Sequence, residues 1–409
     1  MSSRPRKDPL RKTRQPLLPP GARSRGAHLL IGPAGRGAFA LPCCATCGTY
    51  SWPVRDACPV CLSPDLPITP APRGGQVISA TTAEVPADAY FRERAPWHVG
   101  LVQMDCGPQA LVHLHPACGP GDRLRLSLLL DRAGQAVLHG APEGETDMST
   151  DPQWQAMTCD PKGRRVLITD ARHIAALPLA QALLKAGAAG VWLGLDEDWK
   201  PFDRAPFEAL GAQVVPLDLR SDRSVQDMAT DIGAKIEILI NTADLPRPGA
   251  ALAPAAPAQA REMMEVTAFG LLRLMRSLAP VMASRGADGA APATAWVNLV
   301  PVMARVPHPG FAGYGAAHAA ALALAPALRA ALAPGGVRLM TAYIGPTDID
   351  WFQDFPQPKL SGPTIAGAII AALKAGQDEA IIGDLARDWL ERHAKNPRAL
   401  EHDLARGQL

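Results

Sequence analysis

Two Cys-x-x-Cys pairs constrain this chain more than any other feature: Cys44-Ala-Thr-Cys47 and, ten residues later, Cys58-Pro-Val-Cys61. Two residues between thiolates let one tight turn aim both sulfurs at a single ion. Two such turns supply a closed tetrahedral set, the coordination that Zn²⁺ takes. With all four positions filled by protein, the ion would fold the segment and catalyse nothing. Cys43 stands outside the spacing, and Cys106, Cys118 and Cys159 are scattered. Clustered thiolates suit metal binding in a reducing compartment better than a disulfide scaffold, so a cytoplasmic location is expected.

The remainder divides by rhythm. Residues 1–25 carry Arg4, Arg6, Lys7, Arg11, Lys12, Arg14, Arg23 and Arg25 against Asp8 alone, without helical periodicity, so residues 1–35 read as a basic disordered tail. The whole chain has a formal net charge of +2, too small to indicate nucleic-acid binding. No run approaches the ~20 unbroken apolar residues of a membrane span. After the Cys-rich residues 36–70, residues 71–142 hold five short β-type runs separated by Gly, Pro or Asp. They are Gln76–Thr82, His98–Met104, Ala110–His115, Arg123–Leu128 and Ala136–His139. Five such strands suit a small barrel. His113 and His115 share a face and read as a strand-surface pair rather than metal ligands. Residues 143–162 are polar and read as a linker, and 386–409 as a polar C-terminal tail. Between them, residues 163–385 alternate apolar strands with helices, the pattern of a doubly wound parallel sheet.

The ribbon and barrel resemble the rubredoxin-like zinc-ribbon/OB-fold, acyl-CoA-associated proteins that partner thiolase-type enzymes. The resemblance covers about residues 36–142. It rests on the two knuckles, Pro53-x-Arg55 between them, Gly74-Gly75-Gln76-Val77-x-Ser79, and Leu101-Val102-Gln103-Met104-Asp105-Cys106-Gly107-Pro108. It implies docking to a thiolase-like or ketoacyl-synthase-like protein, or handling of acyl-CoA. The resemblance implies a helical lead-in before the ribbon, an element that the Pro- and Gly-rich residues 15–40 put in doubt. OB-folds also bind single-stranded nucleic acid, but Tyr90, Phe91 and Trp97 are few aromatics and no strand is densely basic.

The C-terminal half resembles the short-chain dehydrogenase/reductase family, through Asn298-Leu299-Val300-Pro301, the Tyr314 helix and Gly345-Pro346-Thr347-Asp348. The resemblance implies an Asn-x-Ser-Ser strand end, a Tyr-x-x-x-Lys helix and a glycine-rich turn for the cofactor pyrophosphate. Here Tyr314 stays as the catalytic candidate, while Pro301, His318 and Thr267 stand at the serine, lysine and asparagine positions. The glycine turn reads Thr169-Asp170-Ala171-Arg172-His173-Ile174-Ala175-Ala176, with side chains at all three glycine positions, 170, 174 and 176. Asp196, Asp218 and Asn241 match the family's contacts to adenosine ribose, adenine and the Asn-Asn-Ala-Gly motif; the last appears as Asn241-Thr242-Ala243-Asp244.

The expectation is a fusion of zinc ribbon, OB-fold barrel and degenerate dehydrogenase-like Rossmann domain. It would act as an accessory protein beside a thiolase-like enzyme in acyl-CoA metabolism of a lipid or steroid type. Structural zinc is expected, NAD(P) is doubtful, and a homo-oligomer would form through the Rossmann domain. The alternative is an NAD(P)-dependent short-chain oxidoreductase acting on a hydroxyacyl or ketoacyl group.

Overall fold

The computed structural model describes residues 17–21, 25–144, 146–197, 200–286 and 291–407, so most of the basic arm lies outside the described residues. The part of that arm seen is not all tail. Arg25–Leu30 and Ile31–Gly35 form a helical lead-in after all. Its composition hides an apolar face: Leu30 and Ala34 are buried in the core of the barrel. The ribbon that follows is closed by an antiparallel pair, β1 (Ala40–Pro42) and β2 (Ile68–Pro70).

The barrel strands are β3 (Gly74–Ala83), β4 (Trp97–Met104), β5 (Gln109–Leu114), β6 (Arg123–Leu130) and β7 (Ala136–Pro142), closed in the order β3-β4-β5-β7-β6. Side chains alternate across a strand. Leu124, Leu126 and Leu128 therefore enter the core while Arg123 and Arg125 stay outside. Phe91 packs edge-on against both Tyr90 and Trp97, which are buried, so the three are not a stacking platform. His113 accepts from the Trp97 indole N–H (3.0 Å) and His115 from the backbone N–H of Ala117, so the two do not form a pair.

The described residues of the linker, 143–144 and 146–162, form a connector docked on both units. Polarity here serves specific bonds. Asp151 caps the helix Pro152–Met157 and meets His139 of β7 at 2.9 Å, both side chains fully buried. The side-chain amide of Gln153 donates to the carbonyl of His98 on β4, and the Trp154 indole donates to the carbonyl of Lys374.

The second unit is one parallel sheet: β8 (Arg165–Ile168), β9 (Gly190–Leu195), β10 (Gln213–Pro216), β11 (Ile238–Asn241), β12 (Ala295–Pro301), β13 (Arg338–Ile344) and β14 (Glu379–Ile382), in the order β10-β9-β8-β11-β12-β13-β14. Helices Ala176–Lys185 and Gly362–Lys374 cover one face, and Asp222–Ile232, Gly270–Ser284 and Ala325–Leu332 the other. Two helical stretches, Ala256–Ser284 and Ala312–Gly335, are long and apolar enough to cross a membrane; here they pack on the sheet. The C-terminal tail is corrected as well. Asp384–Lys395 and Pro397–Ala405 are helices whose Trp389, Leu400 and Leu404 are buried. Asn396, capping Ala399 N–H just before Pro397, is the start signal that the polar composition masked.

Two arginines join the units reciprocally. Arg132 of the barrel donates to the carbonyls of Ala293 and Gly336 in the Rossmann unit (3.3 and 3.2 Å). Arg338 of β13 donates back to Leu130 and Met157 (2.8 and 2.9 Å). Burial lowers Arg132 to about 10, which leaves it cationic at neutral pH. Replacing Arg338 by Met strands these carbonyls and should cost about 2–3 kcal/mol. Urea unfolding followed by circular dichroism should then split into separate barrel and Rossmann transitions.

Candidate functional site

The four-cysteine cluster is preorganised by two similar turns. Gly48 N–H bonds back to Cys44 O (2.8 Å) and Leu62 N–H to Cys58 O (3.0 Å). The residue after each knuckle has positive φ: Gly48 at 71° and Leu62 at 61°. Glycine adopts that conformation freely, whereas leucine is held there at some cost. All four Sγ atoms lie within 4.8 Å of one another, and the pairs Cys44–Cys61 and Cys47–Cys58 are 3.5 Å apart. A tetrahedron with Zn–S near ~2.3 Å has S–S edges of ~3.8 Å, so the donors fit a structural zinc. Val60 N–H points at Cys58 Sγ (3.4 Å), the kind of contact that holds a thiolate in place. Cys43 is outside the cluster; its thiol faces Gly48 O. Cys58→Ser should bind no zinc by elemental analysis and lose ordered structure in the ribbon, since closed zinc sites contribute folding energy directly.

The second candidate lies at the carboxyl ends of the parallel strands. Tyr314 is carried on the helix Ala312–Ala323, which packs so closely on the turn Val302–Ala304 that a Cβ at Gly315 would lie 2.9 Å from Met303 O. Tyr314 and His318, one helical turn apart, meet edge-on with ring centroids at 4.7 Å. The residue facing them is Asp244, which takes the last position of Asn241-Thr242-Ala243-Asp244. Its carboxylate can only accept, so the His318 Nε2–H donates to it (3.2 Å). Burial, then the charge of Asp244 and its hydrogen bond, push the Tyr314 hydroxyl well above its ordinary range. A reductase tyrosine needs the opposite shift, because proton exchange is fastest from a group titrating near the working pH.

The other expected residues are engaged within the protein. The Thr267 hydroxyl donates to Met263 O (2.8 Å) inside a π-helical turn, Glu265–Phe269. Asn241 accepts from the Thr169 hydroxyl (2.9 Å) and donates to Asn298 Oδ1 (3.3 Å), which also accepts from the Trp296 indole (2.9 Å). Pro301 ends β12 fully buried. Beyond it, Phe311, Phe352, Phe355 and Trp389 close into an aromatic cluster with Tyr314. Trp389 comes from a helix not expected from the sequence.

At the glycine-turn position, Asp170 accepts from the backbone N–H of Arg172 (2.8 Å), and His173 Nδ1 accepts from Ala175 N–H (3.1 Å). Two N–H groups of the kind that cradle an anion at a helix start are thus satisfied by side chains. Asp196 and Asp218 are both held by the Arg220 guanidinium. The cleft joining these residues measures about 260 Å³. Six carboxylates line it (Asp170, Asp196, Asp218, Asp244, Glu262 and Glu265) against three guanidiniums, Arg172, Arg220 and Arg247. The charge balance of this lining is unfavourable to a dinucleotide pyrophosphate. Asp244 is the residue to which sequence reasoning gave no role; its signal is an acid standing where the Asn-Asn-Ala-Gly motif has a glycine that lets the ligand approach backbone.

Burial raises Asp170 to about 6, and the nearby Asp244 and Asp196 add to it. A carboxyl whose folded value exceeds its unfolded one favours the fold at low pH, and loses that contribution as pH rises through about 6. Asp170→Asn should therefore be more stable than the parent at pH 7–8, with the difference closing toward pH ~4 in thermal melts.

Comparisons with known proteins agree with this architecture. Residues 33–67 match the profile of the ChsH2 rubredoxin-like zinc ribbon domain and residues 69–128 that of the ChsH2 C-terminal OB-fold domain. Residues 164–359 match short chain dehydrogenase. A short-chain dehydrogenase from Burkholderia cenocepacia J2315, crystallised with NADP, is 31% identical with a TM-score of 0.53. That similarity covers 60% of this chain and 98% of the other. The 1-deoxy-11-beta-hydroxypentalenate dehydrogenase of Streptomyces exfoliatus is 29% identical over 223 residues, covering 51% of this chain and 79% of that protein. The chain thus belongs to the short-chain dehydrogenase family through its C-terminal half, fused behind a zinc ribbon and OB-fold barrel of the ChsH2 type.

Proposed function

We propose that this protein is an accessory subunit of a thiolase-like enzyme in acyl-CoA metabolism of a lipid or steroid type, and that its dehydrogenase unit is catalytically retired. Asp244 carries the second half of the reading. Its carboxylate occupies the catalytic corner, bonds His318 and, with burial, holds the Tyr314 hydroxyl well above its ordinary range, so the tyrosine is not poised to exchange a proton near neutral pH. The acid-lined cleft adds electrostatic repulsion toward a diphosphate. Fold and chemistry are separable, and the sheet remains useful as a platform even without hydride transfer.

The ribbon supports the docking half. Val60 and Leu62, on the second knuckle, are 69% and 76% exposed, which leaves an apolar tip free for a partner. Co-purification from native lysate should recover a thiolase-type or ketoacyl-synthase-type protein with the intact chain and not with Val60→Asp/Leu62→Asp. Self-association is proposed through the long helices of the Rossmann unit, where Phe269 and Leu272 are partly exposed. The free thiols suit the cytoplasm.

A second reading, an NAD(P)-dependent oxidoreductase for a hydroxyacyl or ketoacyl group, is favoured by the 31% identity to a protein crystallised with NADP. Calorimetric titration with NAD and NADP separates the two. No binding is expected up to about millimolar cofactor, and a micromolar dissociation constant for either would overturn the retired reading.

A further inference from the structure

A second cleft lies away from the strand ends, between the barrel and the connector. It measures about 670 Å³, within the ~300–1,000 Å³ range of small-molecule sites and larger than a lone phosphate requires. Arg73 and Arg125 line it together, side by side across the β3–β6 ladder: Gly74 is the register partner of Arg125, and Leu126 N–H bonds Arg73 O. Among the described residues neither guanidinium forms an ion pair. Arg73 makes one bond, to Gly37 O (3.1 Å). Of the described acids nearby, Asp105 and Glu143 both pair with Arg123. Asp147, on the rim, accepts from Ser149 N–H. Two neighbouring cations repel each other: burial first, and then the charge of Arg125, lowers Arg73. An anion bound between them would relieve that repulsion.

The other walls narrow the ligand. Ser127 and Thr146 bring hydroxyls, and Trp154 brings a ring whose N–H is anchored to Lys374 O (3.0 Å). We propose that this cleft binds a phosphorylated nucleotide: Arg73 and Arg125 hold phosphate oxygens, Trp154 stacks the base, and the hydroxyls face the sugar. Guanidinium forks match phosphate geometry, and a fixed aromatic face accepts any base. Thr146 and Trp154 come from the connector, so the site exists only where the barrel is joined to the dehydrogenase-like unit. Under the function proposed above the natural ligand would be coenzyme A, whose nucleotide end carries such phosphates; that identification rests on that reading.

Calorimetry on the full chain at low salt, with CoA, ADP and adenosine as probes, tests it. CoA and ADP should bind, and adenosine should bind at least about tenfold more weakly. Arg125→Gln, on an exposed strand position, should weaken CoA and ADP about tenfold with unchanged zinc content and melting. Arg73→Gln/Arg125→Gln should abolish measurable binding. The proposal fails if neither diphosphate binds, or if Arg125→Gln binds them as the parent does, which would place binding elsewhere. ADP binding that Arg125→Gln removes, with no binding of CoA, upholds the nucleotide site and removes the acyl-CoA reading.

Discussion

The reciprocal arginine clamp between barrel and sheet is the contact on which the arrangement of this protein depends. Arg132 and Arg338 each reach across the seam to backbone carbonyls of buried residues. A charged donor to a carbonyl is stronger than a neutral one, and an orphaned carbonyl is costly. The seam therefore behaves as a specific joint. The connector is part of it: the buried His139–Asp151 pair ties the connector helix to the barrel, and Trp154 ties it to the end of the helix Gly362–Lys374. The two units are held as one object, and the Arg73–Arg125 cleft follows from that docking.

At the strand ends, electrostatics decides how the inherited frame is used. The fold still aligns Tyr314, His318, Thr267 and Asn241 around one corner. Asp244 and Asp170 bring negative charge where a dinucleotide would bring its own. The hydrogen-bonding capacity of the turn and of Asn241 is directed inward, and aromatic rings fill the space beyond Pro301. The result is a packed, polar, self-satisfied core region with an acid-lined cleft at its mouth.

Much of the fold was legible because period and spacing are local. The two knuckles, the alternating barrel strands and the apolar strands of the parallel sheet each announce themselves within a dozen residues. The elements that escaped are those whose apolar content is sparse. Leu30 and Ala34 in a Pro/Gly-rich stretch, Asp151 in a polar one, and Trp389, Leu400 and Leu404 in a charged one are single contacts whose value depends on what they meet. The candidate site was legible as a set of replaced positions. That Asp244 joins His318 and Tyr314 was not, since these residues are brought together only by the sheet.

By itself the sequence determined the ligand set for zinc, the succession of ribbon, barrel and doubly wound sheet, and the loss of the serine, lysine and glycine positions, all properties of residue type and short-range order. Tertiary structure alone decided where charges meet: which acid faces Tyr314, which arginines share the barrel cleft, and which guanidiniums lock the two units together. Coulombic and hydrogen-bond energies depend on distance and burial in space, and residues far apart in the chain acquire both only when the chain has folded.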